Sequence, residues 1–595
     1  MTASAFDTFA PAVVRRMVVA AAFFVGAMAL GSAQNVVAQV PGGTSYGTGC
    51  GGAGGAPTIA ISPPLRPGFT STLSMQHLPA NQPAMLMFSD SRTNYLGIPL
   101  PLPLGGLGLP GCELLVGPQY GISFFTGSGQ PSWTFGVPLT PVLAAHPIYL
   151  QAMFADPAVG IGFSRGYDSR FTPMPTPTTM KSSITQFGIT FQFAQPVPAG
   201  QFVNGDWFVV GPATLVGMTP PTTLLNGRAL HGAMINPSAS TRQQGYDGAM
   251  YGPGNEGEYI PALNVALNLS ASNPRLLQPN QSLVKTISNT DPNYLPQLQT
   301  CAVLTVLAET PPNGSFRPPY AGNDHQVRYD EQLLDLSRLA ALAPASGIPD
   351  VNLLLPKLER PWLDHAPGWT SRYMHPVLNM PDYGRDFTSL YNEAALLCNS
   401  NLPMTERRAL AIKLVQIGID CWGNISNGCR WEGTGGHGSG RKLPILFAGA
   451  LLRDADMLSV GQQFLSQRFL NGTSTAFFGE DCQTFYVAQT GSTINWGYGG
   501  YVTSDIGTPE YGFAHVNWPS NDHKVWLQDS YRRCCTANAW VGGIVVVRAM
   551  GLVSAWNHPA LFDYMDRYMA TEPSGWTRGW SGWCERMWDL HRASL

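Results

Sequence analysis

Trp431–Leu452, WEGTGGHGSGRKLPILFAGALL, is the stretch on which the reading of the second half of the chain turns. Glycines at 433, 435, 436, 438 and 440 make its first part a loop. From Leu443 onward it is apolar without a break, the pattern of a helix buried on all sides. Pro444 suits the first turn of such a helix, where a missing N–H costs nothing. His437, Arg441 and Lys442 therefore sit where a glycine-rich loop becomes a helix, beside unpaired backbone N–H groups and the positive end of a helix dipole. Two cations there point to an anion site, and so many glycines point to close backbone approach to another group.

Two familiar motifs do not fit. A phosphate-cradling P-loop needs Lys directly after its last Gly and then Ser or Thr; here Arg441 intervenes and Leu443 follows Lys442. A G-x-S-x-G nucleophile elbow fails because His437, not Gly, stands two residues before Ser439.

Around this stretch the period of the hydrophobic pattern divides the chain. From about residue 325, apolar residues recur every three or four positions. Helices are expected at Tyr329–Leu342, Asp386–Cys398, Thr405–Trp422, Leu443–Arg453, Met457–Leu470, Ala537–Met550, Pro559–Met569 and Ser581–Arg592. Long aromatic, polar loops lie between them, above all 471–521, and loops of that length in a compact domain usually carry function. Before residue 325 the runs are short and β-prone. Residues 34–166 and 182–324 read as two β-sandwich-like domains, joined by a linker at 167–181. In the second, Ile184–Phe193, Trp207–Val216, Ser282–Ile287 and Cys301–Leu307 are the expected strands. The expected fold is thus multidomain α+β, with residues 325–595 forming an all-α, (α/α) toroid-like domain.

Composition narrows the function. The 595 residues carry a formal charge of −3 with only 12% charged, so there is no basic field for nucleic acid. Gly 65 and Pro 50 favour short strands and many turns. Arg15 and Arg16, the apolar Met17–Leu30 and the small Gly31-Ser32-Ala33 read as a signal peptide, residues 1–33, so the protein is expected to be secreted, periplasmic or on the cell surface. No later segment looks membrane-spanning. Export permits disulfides and argues against ATP or nicotinamide cofactors. Cys50 and Cys112 are expected to pair, Cys421 and Cys429 could clip their loop, and the adjacent Cys534 and Cys535 would more easily bond Cys482 or Cys584. No C-x2-C or H-x3-H spacing marks zinc, and no metal or cofactor is expected.

YGTGCGGAGGAPTIAIS at Tyr46–Ser62 and IPLPLPLGGLGLPGCELLVGP at Ile98–Pro118 resemble a small secreted β-domain that recurs in large bacterial exoproteins, which implies an accessory module. The helical half resembles, in architecture and loop composition, secreted carbohydrate-active enzymes that join β-sandwiches to an (α/α) toroid, polysaccharide lyases among them. The resemblance implies a polysaccharide substrate and assigns no residue.

The loops supply the candidates. Asn379, Tyr383 and Arg385 precede the glycine loop with Trp431, Glu432 and His437; Tyr486, Trp496 and His515 follow it. Trp and Tyr faces stack on sugar rings while polar neighbours fix hydroxyls. Lytic cleavage of a uronic-acid polymer needs a cation for the carboxylate, a base for the C5 proton and an acid for the leaving oxygen. His437, Tyr383 and Arg441 are read in catalytic roles, with Asn379, Arg385, Trp431, Glu432, Lys442, Tyr486, Trp496 and His515 binding an anionic glycan. Hydrolysis by paired carboxylates, from Glu432, Glu480, Asp481 and Glu510, is the alternative, and a non-catalytic glycan-binding surface protein is another. Protein recovered from the medium should begin near Gln34; N-terminal sequencing that finds Met1 retained would contradict the export signal.

Overall fold

The computed structural model describes residues 43–62, 65, 70–137, 147–170, 175–239, 241, 243–249, 258–291, 293, 297–366, 374–378, 380–381, 383–431, 435–466, 477–488, 501–512 and 531–595. The expected signal segment lies outside them. The chain is mixed α+β and divides into two compact units, Met1–Pro175 and Thr176–Leu595. Among the described residues no helix is long and apolar enough to cross a membrane.

The first unit is all β among its described residues, short 3-10 turns apart. One sheet runs Thr44–Tyr46, Gly166–Arg170, Pro147–Asp156, Pro83–Ser89, Tyr120–Phe125, with Gly160–Phe163 beside Pro147–Asp156; a second runs Ser132–Gly136, Thr70–Gln76, Thr58–Ser62. Thr70–Gln76 alternates buried and open positions, the period of a strand with one covered face. Its Leu73 and Met75 share one core with Ile59 and Ile61 of the same sheet and with Leu86, Ala152 and Phe154 of the other. The expected Cys50–Cys112 disulfide is present. The stretch read as a linker instead carries strand at both ends, because Gly166–Arg170 pairs with Pro147–Asp156 and Thr179–Gln186 pairs with Ile189–Gln201.

The second unit holds an eight-stranded sheet and the helices. The sheet order is Ala233–Ile235, Gln281–Ser288, Leu298–Leu307, Trp207–Val210, Ile189–Gln201, Ala213–Thr219, Arg275–Leu277, with Thr179–Gln186 beside Ile189–Gln201. The expected strand Ile184–Phe193 is a hairpin, because Phe187 and Gly188 both take positive φ and reverse the chain in two residues. Leu298–Leu307 is covered on both faces. Ala302, Leu304 and Val306 enter one core; Cys301 and Val303 enter another with Tyr246, Tyr320, Leu363 and Met374. Packing on that second face sets Leu363 and its neighbour Asp364 behind the sheet.

The main helices are α1 (Gly384–Cys398), α2 (Met404–Ser426), α3 (Lys442–Leu452), α4 (Gly479–Gln483), α5 (Ala537–Ala549), α6 (Pro559–Thr571) and α7 (Gly582–His591). Every residue of α3 is buried, as its unbroken apolar run requires. α2 crosses it closely at Gly418, where a Cβ would come within 2.2 Å of the Pro444 carbonyl oxygen. α1 packs on α2, α5 and α7. The helix expected at Tyr329–Leu342 is instead two 3-10 turns, Glu331–Leu333 and Leu336–Arg338. Asp330 and Asp335 accept from the N–H two residues on, a local bond that competes with helix propagation. Met457–Leu470 is broken too, into Ala455–Leu458 and Val460–Gln463, with 467–470 outside the described residues.

One ion network binds sheet to helices. Arg317, fully buried, donates to Asp206 at 2.6 Å, ahead of Trp207–Val210, and to Asp420 of α2 at 2.9 and 2.5 Å. Arg317→Met removes the cation and leaves two buried carboxylates, so it should cost about 3–5 kcal/mol of stability. Chemical denaturation of the second unit measures it, and a loss below about 1 kcal/mol would contradict the role given to Arg317.

Candidate functional site

The glycine loop is clamped by the protein's own backbone. A Cβ on Gly436 would lie 1.8 Å from the Cys535 carbonyl oxygen, and one on Gly384, the first residue of α1, 2.2 Å from the Gly436 oxygen. A Cβ on Gly479, the first residue of α4, would lie 2.7 Å from the Gly438 carbonyl carbon. Gly435 and Gly440 take positive φ. The close approach that so many glycines imply is therefore to α1, α4 and the Cys534–Cys535 segment.

Neither cation of the loop faces solvent. Arg441 donates through Nε and Nη2 to Asp364 at 2.9 and 3.2 Å, and through Nη1 to the carbonyls of His437 and Ser439 at 2.9 and 2.5 Å. His375 Nε2 lies 3.3 Å from the same carboxylate. Burial alone would raise Asp364, but Arg441 and His375 hold it well below the usual carboxylate range. Lys442 donates to Asp481 at 2.5 Å and to the Trp556 carbonyl at 2.6 Å, and Trp556 Nε1 donates to the other oxygen of Asp481 at 2.8 Å. The basic pair read as an anion site is thus neutralised by Asp364 and Asp481, because charges this deeply buried require partners. Arg441 and Lys442 hold α3 in place.

Glu480 stands between these pairs. Its Oε1 accepts the Gly440 N–H at 2.9 Å, while its Oε2 has no hydrogen-bond partner among the described residues. Burial, reinforced by the Asp481 charge, pushes its carboxyl up to about 7. Glu510 is likewise buried, within 3.4 Å of Arg532 and 3.3 Å of Arg567.

The remaining candidates separate. Trp431 is buried against Phe478, so it is core rather than a sugar platform. His437 is buried too, its ring 6.5 Å from that of Tyr383. Tyr383 is half-buried and its hydroxyl oxygen accepts the Gly436 N–H at 3.1 Å. Arg385 lies 3.6 Å above the Trp580 ring and 5.5 Å from the Tyr383 ring, donating to Asp386 at 2.8 Å and to the Cys534 carbonyl at 2.9 Å. Tyr486 is exposed and donates to Asp563 at 2.5 Å. Asn379, Glu432, Trp496 and His515 lie outside the described residues. The structure therefore brings together Tyr383, Arg385 and the His437–Lys442 loop around the start of α1, and sorts them into a partly open pair and a buried layer.

The cysteines depart from expectation. Cys534 and Cys535 bond each other rather than Cys482 or Cys584. Cys421 and Cys429 form no clip: the Cys429 thiol donates to the Asp364 carbonyl at 3.1 Å. Sequence reasoning also passed over Trp580, which lies against Arg385, and Trp576 beside it; neither carries a local signal of exposure.

No family model matches the sequence, and no curated protein does. Among solved structures, red sea bream transglutaminase aligns at 6% identity over 43% of this chain and 32% of that one, with a TM-score of 0.15. Salmonella alpha-2-macroglobulin reacted with methylamine aligns at 11% identity over 90% and 35%, with a TM-score of 0.16. The chain spans about a third of the length of each, and at these scores neither likeness carries an argument.

Glu480 has a signature in stability. Unfolded, it ionises near its ordinary 4.5; folded, it keeps its proton to about 7. The native state binds more protons across that window, so this group's contribution is complete below 4.5 and is lost as pH rises through about 7. Glu480→Gln, which keeps the bond from Gly440, should flatten the fall in melting temperature between those pH values. An unchanged slope in the variant would show that Glu480 ionises normally.

Proposed function

We propose that the protein is a secreted enzyme that cuts an anionic polysaccharide by β-elimination, with its helices in an (α/α) toroid-like arrangement. The observation that carries the reading is the adjacency of Arg385 and Tyr383 at the start of α1. Arg385 keeps 19% of its side chain in solvent, unlike Arg441, and supplies the cation that a substrate carboxylate needs. The positive end of α1 adds to it. With the carboxylate neutralised, the C5 proton becomes acidic enough for a side-chain base to remove. The C4–O bond then breaks, a C4–C5 double bond forms, and the leaving oxygen takes a proton. Tyr383 is the proton-transfer group best placed beside Arg385. Arg441, Lys442 and the buried His437 position the loop that holds the Tyr383 hydroxyl.

Glu480 favours a second reading. A carboxyl that stays protonated close to neutrality is what a glycosidase needs as general acid. The two chemistries leave different products. An eliminated uronate carries a double bond conjugated to its carboxylate and absorbs in the near ultraviolet; hydrolysis makes reducing ends without that chromophore.

Purified protein incubated with alginate, glucuronan, ulvan and pectin, beside neutral glucans and xylans, should release absorbing products from one of the acidic polymers. Arg385→Ala and Tyr383→Phe should each lower that rate at least about a hundredfold at unchanged melting temperature. Reducing ends without absorbance would transfer the assignment to Glu480, and no product from any polymer would end the enzymatic reading.

A further inference from the structure

Residues 572–581 form a hydrogen-bonded loop. Its Glu572, Thr577 and Arg578 are held by hydrogen bonds. Arg578 donates to Glu585 at 2.9 Å, to Asp589 at 3.0 and 2.6 Å and to the Met569 carbonyl at 3.0 Å. Thr577 donates to the buried Glu572 at 2.6 Å. The backbone is tied down as well: the Trp580 N–H donates to the Asn538 carbonyl at 2.8 Å, and Asn538 Nδ2 donates to the Trp576 carbonyl at 3.2 Å. The two large apolar side chains of this well-anchored loop are left in solvent, Trp576 at 54% and Trp580 at 39%.

No other tryptophan among the described residues reaches that exposure. Indole is among the side chains that gain most from burial, so two neighbouring indoles held open on a fixed loop call for an occupant. The rings stand 6.5 Å apart and nearly perpendicular. Arg385 covers one face of Trp580 and is paired along one edge with Asp386, while Trp576 presents open aromatic surface. Trp580 links the two groups, with the partly exposed Arg385 guanidinium on one face and the open Trp576 ring 6.5 Å away, and together they suit a ligand with both apolar ring faces and negative charge.

We infer that Trp576 and Trp580 form a binding subsite for an acidic glycan, in which the sugar unit next to the one whose carboxylate meets Arg385 stacks its ring face on Trp576. The inference rests on the reading of the target as an anionic glycan, but it concerns binding, not cleavage. Trp576 and Trp580 touch no reacting atom in that scheme. They add affinity for a sugar unit next to the one at Tyr383, and charge complementarity at Arg385 selects uronates over neutral sugars.

The test is calorimetric titration of the full-length protein, kept cold, with hexasaccharides of galacturonate, of guluronate and of glucose. At least one uronate hexamer should bind, and the glucose hexamer should bind at least roughly tenfold more weakly. Trp576→Ala should weaken uronate binding roughly tenfold, since a stacked aromatic face contributes on that scale. Trp576 is exposed, so the variant should fold, and an unchanged melting curve checks it. Wild-type affinity in Trp576→Ala would overturn the subsite, as would equal affinity for glucose or no uronate binding at all. So would sedimentation showing that wild type self-associates through Trp576 without change in sugar binding. Uronate binding that depends on Trp576 without any ultraviolet-absorbing product would uphold the subsite while sinking β-elimination. Ultraviolet-absorbing turnover with Trp576→Ala binding at wild-type affinity would do the reverse.

Discussion

A single buried guanidinium holds the second unit together. Arg317 meets Asp206, just ahead of a sheet strand, on one side and Asp420, in the middle of α2, on the other. Its own backbone is fixed as well, since Gln416 of α2 both accepts from the Arg317 N–H and donates to its carbonyl. One cation between two carboxylates leaves a net negative charge out of water. Burial accordingly raises Asp420 even against the pull of Arg317. Such a network contributes less to stability than apolar residues of equal volume would; its value is geometric, because few arrangements satisfy a planar donor set on both sides at once. Lys413, also on α2, donates to the Asn204 carbonyl at 2.9 Å and repeats the link.

Once sheet and α2 are registered, the rest follows through contact. α3 lies on α2 at Gly418, and Asp364 is placed behind the sheet by Leu363. Arg441 at the start of α3 then closes onto Asp364. Lys442 and Asp481 do the same between α3 and α4. Glu480 shares this water-poor layer without a cation of its own, and burial, reinforced by the Asp481 charge, is why it holds its proton. The polar interior is a second device for fixing the ends of helices, and Tyr383 and Arg385 stand at its edge, where solvent begins.

Much of the architecture was legible from local pattern. The unbroken apolar run from Leu443 became α3, and Cys50 with Cys112, alone in the first unit, became its disulfide. Failures came where local signals competed. Ile184–Phe193 carries strand-forming residues throughout, and the Phe187–Gly188 turn lacks the Asn-Gly that usually announces such a reversal. Asp330 and Asp335 cut a helical period with side-chain bonds that a hydrophobic pattern does not register. The site was harder. Arg441 and Asp364 are 77 positions apart, so nothing near the glycine loop signals that its cation is already taken. Trp576 and Trp580 resemble the many buried tryptophans around them, and only tertiary packing tells the open ones apart.

The glycines divide the chain by evolutionary latitude. In the first unit, Gly105 and Gly106 have nothing within 4 Å of where a Cβ would stand and no left-handed backbone, whereas Gly97, Gly108 and Gly111 are as open but keep a positive φ that still favours glycine. They serve the turning of hairpin tips, and such tips can drift, lengthen or be replaced. Gly384, Gly436 and Gly479 each meet another backbone at a distance no Cβ could occupy. A substitution at one of these would have to displace a helix or the disulfide-bonded pair, so homologues should vary at Gly105 and Gly106 and keep the loop ahead of α3 nearly frozen. One composition figure, 65 glycines, thus covers two opposite histories: slack at the rim of a β-domain and zero tolerance at the heart of a helical one.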